Sequence, residues 1–423
     1  MKLNYKRTIL VGFAFFLISA FWGAYDAIIP KILENRFHQN QTSTGVIMSL
    51  DNILAVFMLP LFGGISDKVK TRFGKRTPFI FFGTIVAAIF FVILGYVKSL
   101  FAFIVVLLLV LIAMATFRSP AVALMPDVTL KPLRSKGNAI INLMGTAGGI
   151  IALALGIVFS TSAEGKADFS NYIIAISGVM IVGLVIFLCT VKENAWAEQM
   201  ERESLSIEEK VETDTAQKRS LTKPELRSLF LILASVALWY IGYNAVTSRY
   251  SVYAQDVLHV DFNTTLIVAQ AAAVVAYIPV GIIASKIGRK KSILSGIVML
   301  TAAFTIAAFI REGVSELAMF PIFALAGIGW ATINVNSFPM VVELAKGGDV
   351  GVYTGYYYTA SMSAQIVTPI LSGVLIDNIA WTVLFPYAAV FASLSFVTML
   401  FVRHGDSRPE KKGALESLGE GDD

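Results

Sequence analysis

Long apolar runs recur along the whole chain, separated by short polar or charged segments. Crossing about 30 Å of hydrocarbon takes a helix of about 20 predominantly apolar residues. Twelve stretches approach or exceed that length, at 8–33, 44–65, 79–97, 101–125, 138–160, 170–190, 228–254, 263–284, 293–310, 317–341, 352–376 and 382–402. Because 56% of the 423 residues are apolar and only 15% are charged, the composition is suited to a bilayer. The sequence predicts an all-α membrane protein with twelve transmembrane helices, the first of them an uncleaved N-terminal helix.

A charged segment divides the twelve runs into two groups of six. We predict an N-terminal six-helix bundle over 1–190, a cytoplasmic linker over 191–227, a C-terminal six-helix bundle over 228–402 and a disordered cytoplasmic tail over 403–423. The mixed charges of the linker fit either a short amphipathic helix or a flexible tether. The basic loop at 63–76 is echoed at 281–291, which is typical of a transporter built from two six-helix pseudo-repeats.

The distribution of basic residues predicts the orientation of the helices. Most of the 34 Lys and Arg residues lie in alternate loops and at the two termini. The loops on the opposite side hold only Lys31, Arg36, Lys98, Lys166 and Arg311. By the positive-inside rule both termini are cytoplasmic, and the basic charge orients helices rather than binding nucleic acid. We expect a multi-pass monomer in the cell membrane. Because no long N-glycosylated loop is present, a bacterial inner membrane is the simplest assignment.

The most densely charged short loop lies between the second and third runs. A glycine at 63 allows a neighbouring helix to approach closely, and Asp67 can face a helix N-terminus or a nearby Arg. Contacts of this kind can form in one conformation and break in another. We therefore predict a gate, the alternative being a loop that only orients the helices. Its residues are Gly63, Asp67, Arg72, Gly74, Lys75 and Arg76, with Asp127 and Arg134 from the loop after the fourth run.

This loop resembles the signature of the major facilitator superfamily, in which it helps to latch the cytoplasmic gate. The longer stretch 66–80, together with 118–127, resembles the sucrose–proton symporter branch of the glycoside-pentoside-hexuronide transporters. The resemblance implies that the first, fourth, seventh and tenth helices line a central cavity. In the related sodium-coupled melibiose permeases two carboxylates precede the loop. Here Ala55 and Leu59 occupy the matching places, which argues against sodium coupling.

Apart from Lys31 at the end of the first run, four charged residues lie within the apolar runs, where charges usually face a cavity or a partner. They are Asp26, Asp51, Arg118 and Arg249. Proton coupling needs a group whose protonation differs between states, and Asp26 and Asp51 are the candidates. Asp26 could instead only hydrogen-bond a neighbouring helix. Arg249, near the outer edge of its run, is either functional or snorkels to the membrane surface.

Aromatic and polar side chains pair at helical spacing, beginning with Trp22 and Asp26. A sugar offers C–H patches to aromatic rings and hydroxyls to carboxylate, amide or guanidinium groups. A single aromatic could equally belong to a lipid-facing belt. We predict that the substrate is bound by Trp22, Tyr25, Asp26, Asp51, Asn52, Arg118, Asn142, Trp239, Tyr243, Asn244, Trp330, Asn334 and Gln365.

Other functional classes find little support in the sequence. No phosphate-binding Gly-Lys-Ser/Thr loop is present, and the apolar runs hold no His or Cys cluster for a metal or nucleophile. The lone Cys189 is expected to be a small core residue. We therefore expect no enzyme, metal or cofactor. The prediction is proton-coupled uptake of a sucrose- or maltose-like glycoside, with an exporter of drugs or metabolites and a non-transporting sugar receptor or sensor as the alternatives.

Overall fold

A computed structural model describes residues 3–130, 133–163, 165–208, 221–344 and 350–406. Within these ranges the chain is helical and contains no strand. Helices suit lipid because they satisfy their own backbone polar groups. The helices are α1 Tyr5–Asn35, α2 Gln41–Lys68, α3 Thr77–Tyr96, α4 Leu100–Val128, α5 Arg134–Val158, α6 Ser170–Thr190, α7 Glu193–Glu208, α8 Lys223–Asp256, α9 Phe262–Ile287, α10 Arg289–Ala307, α11 Glu316–Val342, α12 Val350–Asn378 and α13 Leu384–Leu400, with a 3-10 turn at Trp381–Val383.

Each of the twelve apolar runs coincides with one of these helices, and α7 is the additional helix. Among the described residues, 11 helices are long and apolar enough to cross a membrane. The remaining apolar run, 263–284, corresponds to α9. The apolar part of α9, Phe262–Tyr277, is shorter than the length required for a membrane span. The prediction of a multi-pass, all-helical membrane protein is therefore confirmed. The count of twelve crossings and the side on which the termini lie stay predictions.

The segment between the two groups of helices is partly ordered. Residues 193–208 of the predicted linker form α7, so this part is a helix rather than a tether. Residues 209–220 lie outside the described residues, as does 407–423 of the tail for which disorder was predicted. One expectation is wrong: Cys189, near the end of α6, is exposed rather than buried in the core. Because α6 is apolar on all sides, its sequence does not distinguish a buried face from an exposed one.

The described chain divides into two compact units. The first contains residues from 3–32, 50–161 and 166–208, and the second contains 33–49, 162–165 and the residues from 221 onward. In the first unit α3 packs against α4 and α6, and α7 contacts α4. Helices α1 and α5 approach so closely that a Cβ added at Gly148 would lie 2.4 Å from the carbonyl oxygen of Phe16. The absence of a side chain at Gly148 therefore allows the two helices to pack closely.

In the second unit α10 packs against α11 and α13, α9 packs against α11, and α8 packs against α12 and α13. The contact between α9 and α11 includes a buried cluster of Ala273, Ala276, Tyr277, Val280, Ala331 and Val335. Small residues on both helices allow their backbones to come close, which favours packing where lipid supplies no hydrophobic driving force between helices. Ala276 and Val280 of this cluster also line a groove between α9 and α10.

Candidate functional site

Three charged side chains come together inside the first unit. Asp26 lies on α1, Asp51 on α2 and Arg118 on α4. The charges of Asp51 and Arg118 both act on the Asp26 carboxylate, and Arg118 also acts on Asp51. Asp26 is exposed, whereas Asp51 and Arg118 are half-buried. The first unit thus gathers two carboxylates and one guanidinium from three different helices.

Aromatic rings of α1 lie beside this cluster. The Arg118 guanidinium carbon is 5.5 Å from the centre of the Trp22 ring, within the range of a cation–π contact. Trp22 in turn packs edge-on against Tyr25, with their ring centres 5.1 Å apart. The Asp26 and Asp51 charges both act on Tyr25. Trp22 and Tyr25 therefore lie beside the charged group, and their role in substrate binding stays a prediction.

Several buried polar atoms of the first unit have no partner among the described residues. They include the indole Nε1 of Trp22, the hydroxyl of Tyr25 and the amide Nδ2 of Asn142 on α5. Tyr25 and Asn142 are themselves buried, at 0% and 5% exposure. A buried polar atom without a partner is unfavourable by roughly 1–3 kcal/mol, so a bound polar molecule or water would satisfy these atoms. Asn52 differs, because its side-chain nitrogen donates to Asp51 at 2.7 Å.

The second unit contributes a separate aromatic group. Tyr243 on α8 stacks on Trp330 of α11 with ring centres 3.8 Å apart and planes only 8° apart. Tyr240 packs edge-on against the same Trp330 ring at 5.4 Å. The Asn244 side chain donates to the backbone oxygen of Tyr240 at 2.9 Å, so this amide is already used within its own helix. The sequence analysis did not predict this stacking of aromatic residues from α8 and α11, and the role of Tyr243 and Trp330 in substrate binding stays a prediction.

The other predicted substrate residues of the second unit differ in their burial. Trp239 is fully buried, at 0% exposure, and its Nε1 finds no hydrogen-bond partner among the described residues. Asn334 is also buried, at 5%. Gln365 on α12 is half-buried. Trp239 therefore belongs to the interior of the unit rather than to its surface, and its role in substrate binding stays a prediction.

Arg76 is the centre of a network in the basic loop of the first unit. Its Nε donates to the Asp127 carboxylate at 2.7 Å, and its other nitrogens donate to Asp67 and to the Ser66 hydroxyl. The carbonyl oxygen of Gly63 also accepts, at 3.4 Å. Burial of the guanidinium opposes its charge, but hydrogen bonds and charge from Asp127 and Asp67 outweigh burial and raise the pKa of Arg76. The loop is therefore tied to the ends of α2 and α4.

The other predicted gate residues differ in their contacts with the network around Arg76. Lys75 forms an ion pair with Asp127 at 3.1 Å. Arg134 donates to the backbone oxygens of Pro126 and Thr129, at 2.9 and 3.3 Å, which ties the start of α5 to the end of α4. Arg72 is exposed and lies over the ring of Phe73. It is therefore peripheral to the network around Arg76.

The network includes Glu193, which the sequence analysis did not identify. Its carboxylate accepts from the backbone amides of Lys75, Arg76 and Thr77 at 2.7–2.8 Å and from the Thr77 hydroxyl at 2.7 Å. Gly74 has a φ of 124°, and a Cβ there would lie 2.1 Å from the Glu193 carboxylate. Only glycine therefore fits. A buried negative charge at the start of α3 is stabilised by the free amides of the helix N-terminus.

The second unit repeats this arrangement with different residues. Arg289 donates to Glu343 at 2.8 Å, as Arg76 donates to Asp127. Asp406, which follows α13, accepts from the backbone amide of Lys290 at 2.9 Å, as Glu193 accepts at the start of α3. Gly288, with a φ of 92°, precedes α10 in the way that Gly74 precedes α3. The similarity between the two loops therefore extends from their sequences to their contacts.

Within the second unit, Arg249 on α8 connects α12 with the start of α2. Its guanidinium donates to the side-chain and backbone oxygens of Gln41, at 2.9 and 2.6 Å, and to the backbone oxygen of Pro369 at 2.6 Å. Asp377 accepts from the backbone amides of Gln41 and Thr42, and so caps α2. Arg249 is 0% exposed, so the alternative that it snorkels is wrong. Its long side chain reaches backbone oxygens of the neighbouring helices instead of the membrane surface.

Comparison with known proteins identifies a family. The sequence profile of the Major Facilitator Superfamily matches residues 11–363 and again 262–419. An uncharacterized MFS-type transporter of Methanocaldococcus jannaschii is 26% identical over 410 residues, covering 94% of this chain and 95% of that protein. The class B tetracycline resistance protein of Escherichia coli is 23% identical over 411 residues, covering 92% and 94%.

Solved structures share the fold at low sequence identity. A crystal structure of a mutant of the nucleoside transporter NupG matches with a TM-score of 0.70 and 14% identity, covering 94% of this chain and 100% of that one. A POT family transporter in complex with 5-aminolevulinic acid matches with a TM-score of 0.70 and 13% identity, covering 93% and 94%. The agreement with these two proteins extends over nearly the whole length of the chain.

Proposed function

The chain belongs to the Major Facilitator Superfamily, and on this basis we propose that it is a secondary transporter that takes up a disaccharide or related glycoside together with protons. It crosses the membrane twelve times, has both termini in the cytoplasm and works by alternating access. The observation that carries the proposal is the cluster of Asp26, Asp51 and Arg118 beside Trp22 and Tyr25 in the first unit.

Proton coupling follows from the charge balance of this cluster. Two ionised carboxylates beside one guanidinium leave a net negative charge among apolar helices, which is unfavourable. A proton on Asp26 or Asp51 removes that charge. If the carboxylate binds its proton more strongly in one conformation than in the other, proton movement and conformational change become linked. Asp26 is the first candidate because it is exposed and so can exchange protons with solvent.

Each unit by itself offers groups that suit a sugar. In the first unit, the unpartnered atoms of Trp22, Tyr25 and Asn142 provide two hydrogen-bond donors and a hydroxyl. In the second unit, the stacked rings of Tyr243 and Trp330 provide a flat apolar face. Donors of the first kind suit sugar hydroxyls, and a flat apolar face of the second kind suits the C–H patches of a sugar ring. These groups support a glycoside over a purely apolar substrate.

The test is charge movement in proteoliposomes that contain the full chain. A panel of disaccharides and monosaccharides is added at acidic and at neutral external pH. We expect a sugar-dependent inward current that weakens as the external pH rises, because fewer protons are then available to enter. Accumulation of the same sugar against its gradient distinguishes a transporter from a receptor or sensor. Uptake without current or pH dependence would contradict proton symport.

A second candidate function is export of drugs or metabolites. It is supported by the similarity to the class B tetracycline resistance protein, which covers most of both chains. An exporter would lower the cellular content of its substrate. Cells that express the chain are therefore compared with cells that express the Asp26→Asn variant for tetracycline accumulation. Lower accumulation with the unchanged chain, together with no response to any sugar, would favour export over uptake.

A further inference from the structure

An apolar groove opens on the second unit between α9 and α10. Its volume is about 490 Å³, in the range of sites that hold small molecules. Ala272, Val275 and Ile283 of α9 form one wall, Ser295 and Met299 of α10 form the other, and Ile328 of α11 lies on its floor. Val275 and Ile283 are 71% and 47% exposed. The groove therefore opens outward from the unit, with exposed apolar side chains beside it.

The polar atoms that line the groove are already used by their own helices. The hydroxyl of Ser295 donates to the backbone oxygen of Ser292 at 2.7 Å, and that of Ser292 donates to Gly288 at 2.9 Å. Thr332 on the floor donates to Ile328 at 2.7 Å. A sugar would bury its hydroxyls in this groove without new partners, which is unfavourable. The groove is suited to a hydrocarbon chain.

Two lysines lie at one end of the groove. Lys286 is three residues beyond Ile283, and Lys291 is four residues before Ser295. These spacings place each lysine on the same helix face as the groove lining, one turn beyond the groove's end. Both lysines are exposed. The groove is therefore apolar along its length and has two positively charged side chains at one end.

The neighbouring cations of this loop are engaged elsewhere. Arg289 is paired with Glu343, and Lys290 donates to the backbone oxygens of Leu400 and Val402 at 2.9 and 2.7 Å. Lys286 and Lys291 make no hydrogen bond or ion pair with any other described residue. They remain available to an anion at the membrane surface.

We propose that this groove binds one anionic phospholipid, with an acyl chain between α9 and α10 and its phosphate between Lys286 and Lys291. In the predicted orientation this lipid belongs to the cytoplasmic leaflet. The dimensions agree: from Ile283 to Ala272 the helix rises roughly 16 Å, close to half of the ~30 Å hydrocarbon thickness. An acyl chain that begins at the lysines would therefore extend to about the middle of the bilayer.

Native mass spectrometry of the purified full chain tests this site. Dioleoylphosphatidylglycerol, which is anionic, is titrated against zwitterionic dioleoylphosphatidylcholine. We expect one tightly held phosphatidylglycerol, bound at least tenfold more tightly than phosphatidylcholine. The double variant Lys286→Gln/Lys291→Gln should lose this preference, whereas Lys6→Gln/Lys98→Gln, which removes two exposed lysines elsewhere, should keep it. The lysine variants alter exposed side chains only, so they are expected to fold.

A groove-filling variant gives an independent result. Ala272→Trp should weaken binding of both lipids at this site, and Val390→Trp, at an exposed position of α13, should not. Equal binding of the two lipids, or an unchanged preference in the double lysine variant, would overturn the proposal. A dimer of the unchanged chain that Ala272→Trp converts to a monomer would also overturn it, because the groove would then be an interface between copies.

Discussion

Glu193 accepts two hydrogen bonds from Thr77, one from its backbone amide at 2.8 Å and one from its hydroxyl at 2.7 Å. The two residues belong to different helices, since Glu193 begins α7 and Thr77 begins α3. The contact therefore fixes the start of the helix that follows the sixth apolar run against the end of the basic loop. Glu193 is only 2% exposed, so hydrogen bonds from these donors replace the water that its carboxylate loses on burial.

Replacing this carboxylate by an amide is expected to destabilise the first unit. Glu193→Gln keeps one acceptor oxygen but places an NH₂ group opposite two donors, either those of Thr77 or the amides of Lys75 and Arg76. Lost charge-assisted hydrogen bonds in a buried site are worth about 1–3 kcal/mol. The thermal unfolding midpoint in detergent should fall. Glu198→Gln, in the same helix but 67% exposed, should leave it unchanged, and equal midpoints for both variants would contradict a structural role for Glu193.

The sequence predicted the charged residues of the basic loop but did not predict the contribution of Glu193. Asp67 and Arg76 are nine positions apart within one recognisable loop, so their pairing could be anticipated. Glu193 lies 116 positions from Thr77 in a segment of mixed charge, where nothing distinguishes it from its acidic neighbours. Only the position of α7 brings it to the start of α3. The positive φ of Gly74 is likewise visible only in the folded chain.

The same limit applies to the intramembrane charges. Hydropathy identified Asp26, Asp51 and Arg118 as charged residues in apolar runs, and the structure brings all three into one unit. It also identified Arg249, but not its partners, because Gln41 and the backbone oxygen of Pro369 carry no charge that a sequence pattern would detect. A rule based on charge predicts that a buried guanidinium has a partner. It does not predict that the partner is a backbone carbonyl.

Arg249→Met should strongly destabilise the second unit. The substitution leaves the oxygens of Gln41 and Pro369 buried without their donor, and a buried acceptor left without its donor typically destabilises by about 1–3 kcal/mol. Thermal unfolding of the purified variant measures the effect. The matched change Arg311→Met, at an exposed arginine that contacts only nearby backbone oxygens, should have little effect. If Arg249→Met melts with the unchanged chain, the three-helix contact is not important for stability.

Arg118→Lys tests the recognition of sugar by the guanidinium. Lysine keeps the positive charge but loses the planar fork of donors and stacks less well on Trp22. The affinity for the transported sugar should fall about tenfold, equivalent to ~1.4 kcal/mol. Isothermal titration calorimetry of the purified chain measures this, with the exposed Arg202→Lys as the control for the same chemical change. An affinity equal to that of the unchanged chain would exclude direct contact between Arg118 and the sugar.

Asp26→Asn separates coupling from binding. Asparagine retains the size and hydrogen-bonding capacity of the side chain but cannot release a proton. If Asp26 carries the coupled proton, the variant should no longer accumulate sugar against a gradient, yet it should still exchange labelled for unlabelled sugar across the membrane. Both are measured in the same proteoliposomes with and without a pH gradient. Asp168→Asn, in the loop before α6 where the carboxylate accepts hydrogen bonds from Ser170, should accumulate sugar normally. Accumulation by Asp26→Asn at the normal level would transfer the coupling role to Asp51, and loss of exchange as well as accumulation would assign Asp26 to sugar binding instead.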